Sequence, residues 1–141
     1  GKIAIAIITT SILISSCSVG PQEIKYGKDN CHFCKMTISD NRFATQVVTK
    51  KSKVYKFDDS HCVIEFLHSN AVKKEDLAGI YFSNFSEPHD FLNSNDAIFF
   101  QSEGLKSPMG GNVAAFKNQD SLKIVSDVHK GNMISWEELI K

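Results

Sequence analysis

The sequence predicts an α+β protein in which two related ββαβ modules pack as one small domain, preceded by a lipoprotein signal peptide and a short linker. Three observations predict this architecture. The chain has 141 residues, of which 42% are hydrophobic, and this composition suits a single compact domain. Two β-rich runs, a helical pattern and a third β-rich run occur in that order twice, with an offset of about 60 residues. An uncharged apolar run stands near the N-terminus, ahead of a cysteine.

The first module is predicted over about residues 43–85. Its elements are two partly alternating strands, an amphipathic helix and a third strand, at residues 43–49, 53–57, 60–69 and 78–83. Asp58 and Asp59 precede the helix, where they are typical of strand-end and N-cap residues. Within the helix, Cys62 falls on the apolar face and His61 on the polar face. Cys62 is therefore expected to be a small buried hydrophobic side chain.

The second module is predicted over about residues 97–137. Its two strands, helix and closing strand are expected at residues 97–101, 112–116, 121–130 and 133–136. Asp120 is the predicted N-cap of the helix. The loop between the first two strands contains the sequence SPMGG at residues 107–111. Because proline restricts the backbone and the two glycines permit an unusual turn, Met109 is expected at a loop tip.

The N-terminal apolar run is too short to span a bilayer, which needs roughly 20 apolar residues. It is typical of a secretory signal peptide at residues 1–16, whose final LISS resembles a lipobox before Cys17. Cys17 is the predicted lipidation site, and residues 17–29 are the predicted linker to a folded domain over residues 30–141. The acyl chains would anchor the protein to a cell membrane, with the domain facing the periplasm or the outside of the cell.

Charge and motif content exclude several classes of function. The chain has 16 Lys and Arg against 16 Asp and Glu, and no stretch concentrates basic residues as a nucleic-acid-binding face requires. We find no Ser-His-Asp arrangement and no phosphate-binding glycine loop in the sequence. The sequence therefore predicts no nucleic-acid partner and gives no sign of hydrolytic chemistry.

The densest chemical signal is a C-x-x-C motif with a methionine two residues later, formed by Cys31, Cys34 and Met36. Two cysteines at this spacing suit one metal ion or a disulfide, so the spacing alone does not decide between them. Once Cys17 is lipidated, three thiols remain, an odd number for an oxidising compartment. Cu(I) accepts soft thiolate and thioether ligands at low coordination number, and the adjacent methionine therefore favours Cu(I).

Taken together, these motifs resemble the NosL family of copper-binding lipoproteins, which are accessory to nitrous oxide reductase. In chain order the shared features are Cys17, the DNCHFCKM sequence at residues 29–36, FDD at residues 57–59 leading to Cys62, and PMG at residues 108–110 ahead of Ala115 and Phe116. The resemblance implies two ββαβ modules akin to organomercurial lyase, and delivery of Cu(I) to the copper-sulfur centre of the reductase or to its maturation machinery. It implies no catalytic turnover. Many relatives have Gly where this chain has Lys35, so the surface offered to a partner differs.

The residues and the resemblance give one hypothesis for the site. Cu(I) is held by one or two of Cys31 and Cys34 together with Met109, which would come from the second module. The remaining candidates are helpers, namely Met36, His61 and Cys62.

Two other functions stay open from the sequence. A thiol-disulfide oxidoreductase would use Cys31 and Cys34 as its redox pair. A zinc-binding surface lipoprotein would complete a tetrahedral set of cysteines with His32 or His61, and a purely structural lipoprotein would close a Cys31–Cys34 disulfide.

Overall fold

The structure, a computed structural model, describes residues 1–11 and 19–141. Residues 1–11 form no helix or strand, and their side chains are exposed. The predicted lipidation site, Cys17, and the end of the predicted signal peptide lie outside the described residues. Within the described part of the chain, we find no helix that is both long and apolar enough to cross a bilayer.

The first sheet has four antiparallel strands in the order β2-β1-β3-β4. The strands are β1 Thr45–Thr49, β2 Val54–Phe57, β3 Leu77–Ser83 and β4 Phe91–Asn93. Helix α1, Ser60–His68, connects β2 to β3. Its buried face carries Cys62, Val63 and Phe66, whereas His61 is exposed, so the predicted amphipathic helix is confirmed.

The second sheet has three antiparallel strands in the order β6-β5-β7. The strands are β5 Ile98–Gln101, β6 Val113–Phe116 and β7 Asn132–Ile134. Helix α2, Gln119–Ser126, connects β6 to β7, and a short helix α3, Trp136–Leu139, follows. The predicted mixture of helices and antiparallel sheets in a small α+β domain is therefore correct.

Several predicted boundaries in the second half are wrong. The N-cap of α2 is Asn118 and not Asp120, because the Asn118 side chain accepts a hydrogen bond from Ser121 N at 2.9 Å. Trp136, predicted at the end of a strand, begins α3 because Ser135 accepts a hydrogen bond from Glu138 N at 3.1 Å. Strand β4 has only three residues and was not predicted.

The folded body also begins before Asn30, within the segment predicted to be a linker. Ile24 is 3% exposed and belongs to the hydrophobic core. Gln22 and the buried side chain of Gln46 exchange two hydrogen bonds, of 2.8 and 2.9 Å. The polar character of residues 18–29 suggested a linker. The burial of Ile24 and the hydrogen bonds between Gln22 and Gln46 instead attach this segment to the folded domain.

One hydrophobic core joins the two sheets. Its buried members include Val47, Phe57 and Phe82 from the first sheet and Phe99, Val113 and Ala115 from the second. The rings of Phe82 and Phe99 pack edge to face with centroids 4.8 Å apart. A backbone hydrogen bond of 2.8 Å from Phe85 N to Ala115 O further links the segment after β3 to β6. Residues of both halves therefore bury one common interior.

Candidate metal centre

Three cysteines that are far apart in the sequence come together at one edge of the core. The sulfur atoms of Cys31, Cys34 and Cys62 all lie within 4.8 Å of one another. All three are free thiols. Cys31 and Cys62 are buried, and Cys34 is partly exposed. A metal ion would therefore reach this cluster from the side of Cys34.

A tight turn places Cys31 and Cys34. Cys31 N donates to Met36 O at 2.8 Å, and Lys35 N donates to Cys31 O at 3.0 Å, so the backbone closes around the motif. The turn also directs Cys34 N toward the sulfur of Cys31, at 3.4 Å. Lys35 has a φ of +67°, a conformation in which glycine is less strained. A glycine at this position would adopt the same backbone conformation with less strain.

Helix α1 places Cys62. Asp59 is the N-cap of α1, and its Oδ1 accepts a hydrogen bond from Ser60 N at 2.7 Å. Cys62 lies in the first helical turn, where Cys62 N donates to Asp59 O at 3.1 Å. The sulfur cluster is thus next to a helix N-terminus, whose partial positive charge favours thiolates.

The three thiols differ in acidity. A hydrogen bond from the thiol of Cys62, together with those from the backbone N–H groups of Cys34 and Asp58, lowers the pKa of Cys31 to about 5. The hydrogen bond to Cys31 raises the pKa of Cys62. Burial raises the pKa of Cys34. The apo cluster therefore holds one thiolate, on Cys31, and two thiols at neutral pH.

Asp58 adds a buried carboxyl group beside the cluster. It is 4% exposed, and its Oδ1 has no hydrogen-bond partner among the described residues. Burial, with a further contribution from the negative charge of Cys31, raises the pKa of Asp58 to about 6. The neighbouring acid Asp59 has a different role, because both of its oxygens accept hydrogen bonds. Asp59 is thus the predicted helix cap, and its second oxygen also accepts a hydrogen bond from Ser107 Oγ.

The loop of residues 107–111, here called the Met109 loop, packs against the start of α1. Met109 N donates to Asp59 Oδ2 at 2.8 Å, which joins the second half of the chain to the N-cap of the helix that carries Cys62. Met109 is 39% exposed. The expectation that this methionine is displayed outside the core is therefore correct, and its loop lies against the cysteine-bearing helix.

Other candidate ligands lie outside the sulfur cluster. Met36 is 61% exposed, although it directly follows the cysteine turn. His61 is exposed, and its ring lies 6.3 Å from that of Phe33, centroid to centroid. The ring of His32 packs edge to face against Tyr55, with centroids 4.8 Å apart. Over residues 1–11 and 19–141, no histidine or carboxylate shares a metal-binding geometry with the three cysteines.

Only part of this site was predicted from the sequence. Cys31 and Cys34 were predicted ligands because of their spacing, but Cys62 was expected mainly as a buried hydrophobic side chain. It is buried, yet its sulfur faces the other two. The role of Asp59 in holding the Met109 loop was not predicted. The FDD sequence directly before the helix was its only sequence signal.

The chain is similar to known proteins in both sequence and fold. The model of the NosL family matches residues 21–141 of the chain. Among solved structures, the copper chaperone NosL from Shewanella denitrificans is similar, with a TM-score of 0.70 and 21% sequence identity. That match covers 86% of this chain and 96% of the other. The search of curated proteins gave no match.

Proposed function

The chain belongs to the NosL family, and from this premise we propose that it is a copper chaperone that binds Cu(I) at the Cys31, Cys34 and Cys62 cluster. The observation that carries the proposal is the meeting of three free sulfur atoms within 4.8 Å. Such a protein acts as an accessory factor and does not turn over a substrate. The Cu(I) ion is its cargo.

The geometry of the cluster suits a three-coordinate soft metal. A metal bound to three thiolates at roughly 2.3 Å holds their sulfur atoms roughly 4 Å apart, so the cluster needs to contract by less than about 1 Å. The thiolate of Cys31 supplies a ligand that needs no deprotonation at neutral pH. Met109 is the proposed additional thioether ligand, while Met36 and His61 lie at the surface around the cluster.

Copper fits this donor set better than zinc does. A structural zinc site is closed by four ligands, commonly cysteine and histidine. Within the described ranges, the cluster contains only three such ligands, all cysteine. Cu(I) is satisfied by two or three soft sulfur ligands, and thioether sulfur binds it without a proton to lose. The alternative of a Cys31–Cys34 redox pair is less well supported, because Cys62 lies within reach of both sulfurs.

We propose further that Cys17 is lipidated and that the domain works at a membrane surface, facing the periplasm or the outside of the cell. The support is the sequence LISSC at residues 13–17, which follows the apolar run. The proposed client is nitrous oxide reductase or its maturation machinery, and the support is the family motif set. We also propose that the two halves of the chain arose as a repeat of one ββαβ module. The support is that α1 and α2 each follow an antiparallel pair of strands.

A competition titration tests the copper proposal. The chain with Cys17→Ala, reduced and free of oxygen, would be titrated with Cu(I) against a chelator, and separately with Zn(II). We expect one tight Cu(I) equivalent, lost in Cys31→Ser and weakened at least about tenfold in Cys62→Ser. Met109→Leu should weaken binding by about tenfold, whereas Met133→Leu, a 53% exposed methionine on β7, should not change it. Tighter binding of Zn(II) than of Cu(I), or no dependence on Cys62, would overturn the proposal.

A further inference from the structure

One buried carboxylate holds the Met109 loop. Asp59 is 0% exposed, and its Oδ2 accepts hydrogen bonds from Ser107 Oγ at 2.9 Å, Met109 N at 2.8 Å and Gly111 N at 3.0 Å. Hydrogen bonds to an ionised acceptor are the strong class, and removing their acceptor leaves the donors unpaired. The loop is therefore folded around a single oxygen atom.

The other oxygen of Asp59 caps the N-terminus of α1, the helix that carries Cys62. Asp59 Oδ1 accepts a hydrogen bond from Ser60 N at 2.7 Å. The equivalent cap of α2, Asn118, accepts from Ser121 N within its own helix. A neutral side chain is thus sufficient to cap a helix in this protein. Burying a carboxylate at residue 59 costs free energy, so capping alone does not explain it. The second oxygen of Asp59 accounts for the carboxylate, because it accepts the hydrogen bonds from the Met109 loop.

The loop is shaped to approach the helix closely. Gly110 has a φ of +76°, a backbone conformation that residues with a side chain rarely adopt. A Cβ at Gly111 would overlap Ser60 Oγ and lie 2.9 Å from His61 N. Asn112 N donates to Ser107 Oγ at 2.7 Å and closes the loop on itself. Both the donors and the glycines therefore fit the loop to the N-terminus of α1.

We propose that Asp59 is a positioning residue for the metal centre. It fixes the Met109 loop, which connects β5 to β6, to the start of α1 and so presents the Met109 thioether to the cysteine cluster. Since Asp59 is not itself a ligand in this account, its effect passes through Met109. This inference rests on the proposed binding of Cu(I), in which Met109 contributes to affinity.

A double-mutant cycle tests the proposal in the full chain with Cys17→Ala. Asp59→Ser keeps a cap hydroxyl but is too short to reach the loop, and Asn118→Ser is the matched control on α2. We expect Met109→Leu to weaken Cu(I) binding about tenfold in the parent and in the Asn118→Ser background, but less than twofold in the Asp59→Ser background. An equal effect of Met109→Leu in all three backgrounds would overturn the proposal while leaving copper binding intact.

Amide hydrogen exchange gives a second readout that needs no metal. The Met109 and Gly111 amides of the apo protein should exchange at least about tenfold faster in Asp59→Ser and unchanged in Asn118→Ser. If Asp59→Ser does not fold, Ser107→Ala replaces it, because this variant keeps the cap of α1. Ser107→Ala should accelerate the exchange of the same amides by a smaller factor. Failure of the parent to bind Cu(I) would refute the proposed function. Unchanged exchange in both Asp59→Ser and Ser107→Ala would refute the fixing of the loop by Asp59.

Discussion

At the scale of single residues, the three thiols of the proposed copper site differ in how readily they ionise. In the proposed copper site, Cys31 would be the ligand that is already ionised before Cu(I) binds. Cys34 and Cys62, whose pKa values are raised, would lose their protons when Cu(I) binds. Protons and Cu(I) therefore compete for the cluster, so affinity should fall as the pH falls.

The acidity of Cys31 gives a direct prediction for the apo protein. Cys31 is protonated below its pKa and ionised above it, so thiolate ultraviolet absorbance should rise by one equivalent as the pH passes through about 5. Cys62→Ala removes the largest stabilising hydrogen bond and should move this step toward the ordinary cysteine pKa. The step should vanish in Cys31→Ser. A single rise above pH 8 in the parent would show that no thiolate is stabilised.

At the scale of elements, the site depends on how a turn, a helix start and a loop meet. The turn carries Cys31 and Cys34, and the first turn of α1 carries Cys62. The strand pairing of β1 with β2 sets where α1 begins, because Asp58 and Asp59 directly follow Phe57 at the end of β2. The Met109 loop then packs on the N-cap of α1 through hydrogen bonds and through the absence of a side chain at Gly111.

Gly111→Ala tests this packing between loop and helix. The added Cβ would overlap Ser60 Oγ, so the loop must move away, at an expected cost of about 1–3 kcal/mol in the free energy of unfolding. Chemical denaturation of the reduced apo protein measures this cost. Gly20→Ala is the matched control, because a Cβ there meets no atom within 4 Å. Equal stabilities of the two variants would contradict the close approach of the loop to α1.

At the scale of the whole molecule, the two sheets pack around a shared core, so we expect them to unfold as one cooperative unit. Phe82, Phe99 and Trp136 pack with centroid distances of 4.8 to 6.3 Å, and they bring β3, β5 and α3 together. The proposed metal centre would have the same organisation, with its cysteines in the first half and Met109, the proposed thioether ligand, in the second. Unfolding of either half should therefore disrupt both the core and the site.

Phe99→Ala tests this cooperativity. Removing a buried phenylalanine typically costs about 3–5 kcal/mol, and Phe99 is 2% exposed. Trp136 fluorescence and far-ultraviolet circular dichroism should both report a single unfolding transition, with its midpoint moved to a lower denaturant concentration. Ile124→Ala, at a side chain that is 72% exposed, should have almost no effect. Two separated transitions would indicate that the halves unfold independently.

The accuracy of the sequence predictions follows from the kind of signal that each element carries. Helix α1 and strands β1, β2 and β3 were predicted because apolar residues repeat with a clear period. Strand β4 and helix α3 have only three and four residues, too few to establish a period. The segment before Asn30 was predicted to be a linker because its buried apolar side chain, Ile24, is not part of a periodic apolar pattern.

The metal centre was predictable only in part. The C-x-x-C spacing identified Cys31 and Cys34, since both lie on one turn. Helical periodicity placed Cys62 on the buried face but could not reveal which residues that face meets. The hydrogen bond between Asp59 and Met109 N spans 50 residues, and no local pattern encodes it.

X-ray absorption of the Cu(I)-loaded protein tests the central claim most directly. It counts the sulfur and the nitrogen or oxygen atoms bound to copper, in the chain with Cys17→Ala and in its Cys62→Ser variant. The account predicts coordination by sulfur alone in the parent, and one sulfur fewer in Cys62→Ser. A histidine ligand in the parent, or the same sulfur count in both proteins, would contradict a copper site built from Cys31, Cys34 and Cys62.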